Sequence, residues 1–111
     1  MRGDRERLGD IVGTAARVAE LVALGRERLE SDTIVQDAMI RRLEVIGEAA
    51  ANVSSELRDR QADVPWRHAA AMRNHAVHGI FDVDLQQVWS TATTDVPAMA
   101  ARVQQILDET S

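Results

Sequence analysis

Apolar residues in this chain recur at every third or fourth position over two long stretches, and nowhere do they alternate. Leu8, Ile11, Ala15, Val18, Val22, Gly25 and Leu29 form one stripe across residues 5–29, with Val12, Ala19 and Leu21 along a second flank. Met39, Leu43, Ile46, Ala50 and Val53 form another across 33–53, flanked by Ile40, Val45 and Ala49. Spacings of three and four put side chains on one face of a helix, whereas a half-buried strand needs a period of two. The chain is thereby committed to helices that bury their stripes against one another. Aromatic residues make up only 3% of it, so this packing has to be built from Ala, Val, Leu and Ile.

The punctuation between stripes agrees. Ser31-Asp32 interrupts the first, and Asp32 can cap the next helix by accepting from its free N–H groups. Asn52 to Ser54 loosens the second, where Ser54 or Ser55 can cap a short segment over 55–61. Asp63-Val64-Pro65-Trp66 reads as a helix start, since Pro has no N–H to leave unpaired there. That third helix is predicted to run to about His78, with Gly79 suited to the left-handed position after it. Asp84 caps a helix carrying Leu85, Val88, Trp89 and Ala92. Asp95-Val96-Pro97 then opens 96–109 as a new helix or a kinked continuation. The expectation is one all-α domain over residues 1–111: an up-and-down bundle of four main helices with a short fifth or kinked segment. The second flanks of the first two helices offer apolar surface that four helices can largely absorb, or on which a homodimer can be built, the expectation taken here.

Composition removes several function classes. There is no Cys, hence no disulfide framework and no thiolate metal site. Asp4-Arg5-Glu6-Arg7 stands where a signal peptide would need an apolar run, and no segment approaches the roughly 20 apolar residues of a membrane span. The expectation is a cytoplasmic chain with no membrane partner. A formal net charge of −5 argues against indiscriminate nucleic-acid binding. Its distribution is uneven: residues 1–57 carry 8 Arg against 11 acids, 79–111 carry 1 Arg against 5, and 58–78 carry 4 Arg against 2 together with all three His. A phosphate-bearing ligand is attracted to that window alone.

The same window holds Met72-Arg73-Asn74-His75-Ala76-Val77-His78-Gly79-Ile80-Phe81, a polar cluster at a helix end. Asn74 and His78, four apart, share a helical face. Arg73 and His78, five apart, lie about 140° from one another around an ideal helix axis. A joint site therefore needs the Arg to reach round, a frayed end after Val77, or a second copy of the chain. A two-fold would bring two Arg–His pairs to one cleft. The chemistry open to such a set is RNA cleavage without a metal. His can take or give a proton near neutrality, Arg donates to a phosphate as its charge rises, and the ribose 2′-OH is an internal nucleophile. Asn74 can orient the phosphate or fix the His tautomer.

Blander readings of these residues stand beside that one. The cluster can be a solvated helix end. His75 and His78, three apart, can chelate a metal, although neither a Glu-x-x-His pair nor a third ligand accompanies them, so no metal or other cofactor is expected. His68 reads as a surface residue. Glu48, set among Ala and Gly in the second helix, needs an Arg partner if buried and none if exposed.

Read in order, Arg41-Arg42-Leu43-Glu44-Val45-Ile46-Gly47-Glu48-Ala49-Ala50, Val64-Pro65-Trp66-Arg67, Met72-Arg73-Asn74 to His78-Gly79, Phe81-Asp82-Val83-Asp84-Leu85, Val88-Trp89 and Asp95-Val96-Pro97 resemble the HepT-like family of HEPN domains. The resemblance runs from Thr33 to Leu107. It implies a helical bundle that dimerises with Arg-x4-His motifs facing across the interface. It also implies a ribonuclease toxin, encoded beside a minimal nucleotidyltransferase antitoxin and acting on RNA, transfer RNA in some members. Carried onto this chain, Arg73 and His78 are the catalytic pair, Asn74 supports them, and Arg67 and His75 are candidate RNA contacts.

One position departs. The family motif continues His-x-Tyr, and this chain has Ile80 where the Tyr belongs. That Tyr is the residue which the antitoxin modifies with AMP in the family. The sequence contains no Tyr, so control has to come from binding and occlusion or from another hydroxyl. Otherwise the chain is a catalytically weak HEPN module that binds a nucleotidyltransferase partner or a nucleotide.

Overall fold

The computed structural model describes residues 3–76 and 84–109, the side chains of His75 and Ala76 excepted. All its regular elements are helical: α1 Asp4–Val22, α2 Arg26–Ser31, α3 Thr33–Ala51, α4 Ser55–Arg60, α5 Trp66–Ala70, a 3₁₀ helix Ala71–Ala76, α6 Leu85–Ser90, a π-helical turn Thr91–Asp95, and α7 Val96–Glu109. This is the all-α bundle expected, and no strand occurs among the described residues. Its main layers are α1, α3, the α5–3₁₀ segment and the α6–α7 rod.

The stripes do what their spacing requires. Ile11 and Val18 of α1, Met39, Leu43, Ile46 and Ala50 of α3, and Val103 and Ile106 of α7 are essentially inaccessible to solvent. α1 packs on both α3 and α7, and α3 carries the α5–3₁₀ segment on another side. On the second flank of α1, Val12 and Leu21 pack partly against the core, as does Val22 of the first stripe. The bundle thus absorbs a share of the apolar surface that the sequence left without a partner.

Three caps fall where the sequence put them. Asp32 accepts from the Ile34 amide at 2.9 Å, Ser54 Oγ from the Leu57 amide at 3.2 Å, and Asp84 from the Gln87 amide at 3.1 Å. Each satisfies an amide that helix geometry leaves free. Ser54 has a second duty, because its amide and hydroxyl donate to the two oxygens of Asp4 at 2.8 and 2.5 Å. That pair ties the start of α1 to the start of α4 and holds the Asp4 carboxyl below its ordinary pKa, the Ser54 hydroxyl being the main cause.

Two expectations change and a third is narrowed to one of its alternatives. The helix predicted over 5–29 is two helices, because Gly25 adopts φ +97°, a left-handed conformation that costs a residue with a Cβ much more. Leu29 still reaches the core, so the apolar spacing runs across the break and conceals it. The third helix is not α-helical throughout, since it tightens to 3₁₀ at Ala71. Its predicted end at His78 lies outside the described residues. Finally, 96–109 continues α6 through a π turn. Pro97 cannot donate to a carbonyl four residues back and its ring crowds that carbonyl. A wider turn immediately before it relieves both problems within a continuous rod.

Candidate functional site

The α5–3₁₀ segment begins on a locked corner. Pro65, at φ −78° and ψ 70°, forms an inverse γ-turn in which the Trp66 amide donates to the Val64 carbonyl at 2.8 Å. The Trp66 ring is buried, and its indole N–H donates back to the Gln61 carbonyl at 3.0 Å. Ala69 and Met72 are buried on the inner side, whereas Arg67, His68, Arg73 and Asn74 are exposed. The Asp-Val-Pro-Trp start thus serves to aim a helix with one apolar and one polar side.

The register of this segment on α3 is set by Gly47. A Cβ built there would collide with the Arg73 amide nitrogen and lie 2.9 Å from both the Ala70 carbonyl oxygen and Arg73 Cβ. Side chains do not approach so closely, so the backbone of the 3₁₀ helix rests on α3 only because position 47 has none. The following residue, Glu48, then meets Arg73: Nη1 donates to Oε2 at 3.4 Å. Asn52, one turn on, donates to the other Glu48 oxygen at 3.0 Å and to the Glu48 carbonyl at 2.8 Å. Both members of the Arg73–Glu48 pair are about half exposed or more, so it adds little to stability. Its effect is to hold the guanidinium over α3.

Of the residues singled out in the sequence, the structure places Arg73 against Glu48 and leaves Asn74 and Arg67 on the exposed side of the segment. The backbone of His75 belongs to the 3₁₀ helix, and its side chain lies outside the described set. His78 and Ile80 lie outside the described residues, as do the proposed Arg73–His78 meeting and the His75–His78 metal pair. His68 is the surface residue expected, with Nε2 3.1 Å from Asp95 Oδ2. Glu48 is the exposed carboxylate of its two alternatives, and it pairs with Arg73 although its exposure does not require a partner.

A family model described as "Ribonuclease HepT-like" matches residues 11–106, which include Arg73, His78 and the position of Ile80. The chain belongs to the HepT-like family. It is 30% identical over 106 residues to the "Probable ribonuclease HepT" of Thermococcus cleftensis, covering 95% of this chain and 96% of that protein. Proteins named "Putative RNase" in Caldanaerobacter subterraneus and Methanocaldococcus jannaschii are 34% and 30% identical over 83 and 98 residues. These cover 75% and 87% of this chain, and 74% and 90% of theirs. No solved structure matches.

Two features of this HepT-like chain escaped the sequence reading. Gly47 carried a signal, because a Gly in the interior of a helix costs about 1 kcal/mol relative to Ala and calls for a packing reason. The second feature carried none: Asp63 and Arg102 are 39 residues apart and join at 2.6 Å, with Gln61 accepting from the same guanidinium at 2.7 Å. That bond holds the Asp63 carboxyl below its usual range and raises Arg102 further. Among the described residues no helix is long and apolar enough to cross a membrane.

Proposed function

We propose that this HepT-like chain is an endoribonuclease that needs no metal and acts as a homodimer, with Arg73 and His78 as its catalytic pair. What carries the proposal is the family match running through Arg73-x4-His78, on a segment whose register over α3 depends on Gly47. In the proposed reaction His78 removes the proton from a ribose 2′-OH. The oxygen attacks the adjacent phosphorus, and the bond to the 5′-oxygen breaks. That oxygen takes a proton from His78 of the second copy, leaving a 2′,3′-cyclic phosphate and a 5′-hydroxyl. Arg73 donates to the phosphate oxygens as their charge rises, a role whose removal typically costs about 10²–10³ in rate. Asn74 orients the phosphate, and Arg67 and His75 contact the flanking RNA backbone.

The chain is further proposed to be the toxin of a toxin–antitoxin pair, with a minimal nucleotidyltransferase as antitoxin and transfer RNA within its substrate range. Because the sequence contains no Tyr, neutralisation is proposed to come from a partner that occludes the cleft or modifies another hydroxyl. The test compares purified wild type, Arg73→Ala and His78→Ala for RNA cleavage, product ends and mass in solution. The expected result is cyclic-phosphate ends from the wild type, a loss of at least about 10² in rate in both variants, and dimers throughout. Equal cleavage by all three proteins would overturn the assignment. Ile80 favours a second reading, a weak module that binds a nucleotidyltransferase or a nucleotide. Absence of cleavage by the wild type alongside retained partner binding would select it.

A further inference from the structure

The guanidinium of Arg73 has two unequal ends. Nη1 donates to Oε2 of Glu48 at 3.4 Å, the one hydrogen bond this side chain makes among the described residues. The edge carrying Nε–H and Nη2–H therefore has no protein acceptor there. Two parallel N–H groups on one edge of a guanidinium form the fork that binds a phosphate through two oxygens. At 47% exposure, the side chain remains open to such a ligand. Glu48 is itself held at its other oxygen: the Asn52 side-chain amide donates to Oε1 at 3.0 Å and to the Glu48 carbonyl at 2.8 Å. One chain of contacts, Asn52 to Glu48 to Arg73, thus reaches the cation at the corner opposite its free edge.

The Glu48 carboxylate acts on a phosphate at that fork in two opposed ways. As an acceptor it restricts the long Arg side chain, whose freedom would otherwise be lost on binding, and it leaves the fork as the end presented. As a charge it repels a phosphate bound to the same guanidinium, since two anions then share one cation. The groove between α1 and α3 that Glu48 lines also holds Arg7, Asp10, Arg41 and Glu44. Arg41 donates to Glu44 at 2.7 Å, whereas the cation bonded to Glu48 is Arg73. Glu44 thus carries the same charge in the same groove but bonds to a different Arg, which makes it a control for groove charge as such.

We propose that Glu48 is a positioning residue for Arg73 with two separable actions: its hydrogen bond aims the fork at the phosphate, and its charge lowers the affinity with which that phosphate is held. Asn52 fixes the carboxylate and shares the first action only. The second action keeps the resting grip on RNA weak, which favours turnover over uniform binding. That the phosphate is the one cut rests on the ribonuclease reading; the anion site on Arg73 does not.

The experiment compares the full chain with Glu48→Gln, Glu48→Ala, Asn52→Ala and the control Glu44→Gln. Each protein is titrated with inorganic phosphate while the Arg73 Nε–H resonance, assigned by its absence in Arg73→Ala, is followed by NMR; kcat and KM for RNA cleavage are measured on the same samples. Glu48→Gln keeps an acceptor oxygen and loses the charge. It should tighten phosphate binding by about two- to fivefold, the worth of an exposed ion pair, and lower KM with little loss of kcat. Glu48→Ala should tighten phosphate by the same factor and lower kcat by a further two- to fivefold or so. Asn52→Ala should lower kcat with phosphate affinity unchanged, a split that general loss of structure does not produce. Phosphate affinity that fails to rise in Glu48→Gln, or rises as much in Glu44→Gln, would overturn the action of the charge. Equal kcat in Glu48→Ala and Glu48→Gln would overturn the action of the bond. A wild type that cleaves no RNA, yet whose Arg73 resonance answers to phosphate and more tightly so in Glu48→Gln, would retain the anion site and overturn the ribonuclease reading instead.

Discussion

α3 meets its neighbours in two different ways. Toward α1 it presents full-sized stripe residues, and the contact is made by volume: Ile11, Val18, Leu43 and Ile46 are each at or below 1% exposure. Toward the α5–3₁₀ segment it presents Gly47, and the contact is made by clearance, backbone resting where a side chain is missing. A contact made by volume tolerates small shifts, because many side chains share it. A contact made by clearance fixes a register at one point, and here that point lies against the backbone of Arg73. The bundle thus separates what keeps it folded from what places its candidate catalytic cation.

The largest expected effect falls on the first kind of contact. Leu43→Ala should lower the unfolding free energy by about 2–5 kcal/mol through lost burial and the cavity left behind, read as a fall in the urea midpoint. Arg73→Ala should change the unfolding free energy by less than about 1 kcal/mol, because its pair with Glu48 is exposed. A similar loss in both variants would break the comparison.

Gly47→Ala tests the second kind directly. On helix propensity alone Ala should stabilise α3 by about 1 kcal/mol. The collision with the Arg73 backbone should outweigh that, giving a net loss of about 1–3 kcal/mol, typical of overpacking. Ribonuclease activity at a temperature where the variant remains folded should fall more steeply than in Leu43→Ala. A Gly47→Ala protein that is more stable and equally active would show that the 3₁₀ segment does not rest on this residue.

Legibility in the sequence follows the same division. Burial by volume writes a period, so the stripes and the all-α class could be read from Leu8, Ile11, Met39 and Leu43. Caps were legible too, since Asp32, Ser54 and Asp84 act on amides two or three residues away. Clearance writes only a single Gly, and Gly25 and Gly47 have opposite meanings, a left-handed break in one case and a close approach in the other. The family motif was read by its order, yet the pairing of Arg73 with Glu48 joins residues 25 apart and left no local trace. The π turn ahead of Pro97 was foreseen only as a kink, because a Pro announces a lost hydrogen bond without showing how the chain absorbs it.

A smaller effect distinguishes local from distant support within the scaffold. Ser54→Ala removes the α4 cap, worth about 1 kcal/mol, together with the hydroxyl donor to Asp4, while the Ser54 amide still reaches Asp4. The loss measured by denaturation should therefore be greater than for Asp84→Ala, a cap whose side chain has no such second role among the described residues. Equal losses would mean that the Asp4 link contributes nothing beyond the cap.

The smallest effect is electrostatic and touches both regions. Asp4, Asp32 and Asp63 are held below the ordinary carboxyl value of 3.8, Asp4 mainly by the Ser54 hydroxyl, Asp32 mainly by Arg28 and Asp63 mainly by Arg102. A carboxyl whose folded pKa is depressed contributes stability above its unfolded value and loses it as pH falls through the folded one. Stability should accordingly be flat with respect to these groups from neutrality to about pH 5, and should decline below about pH 4. Asp63→Asn should remove part of that slope, and Asp4→Asn should remove its own part. Asp63 is exposed and Asp4 and Asp32 remain partly open to solvent, so 1 M salt should shrink the effect. An acid slope that survives both substitutions unchanged would assign it to other carboxyls and leave the two links as geometry alone.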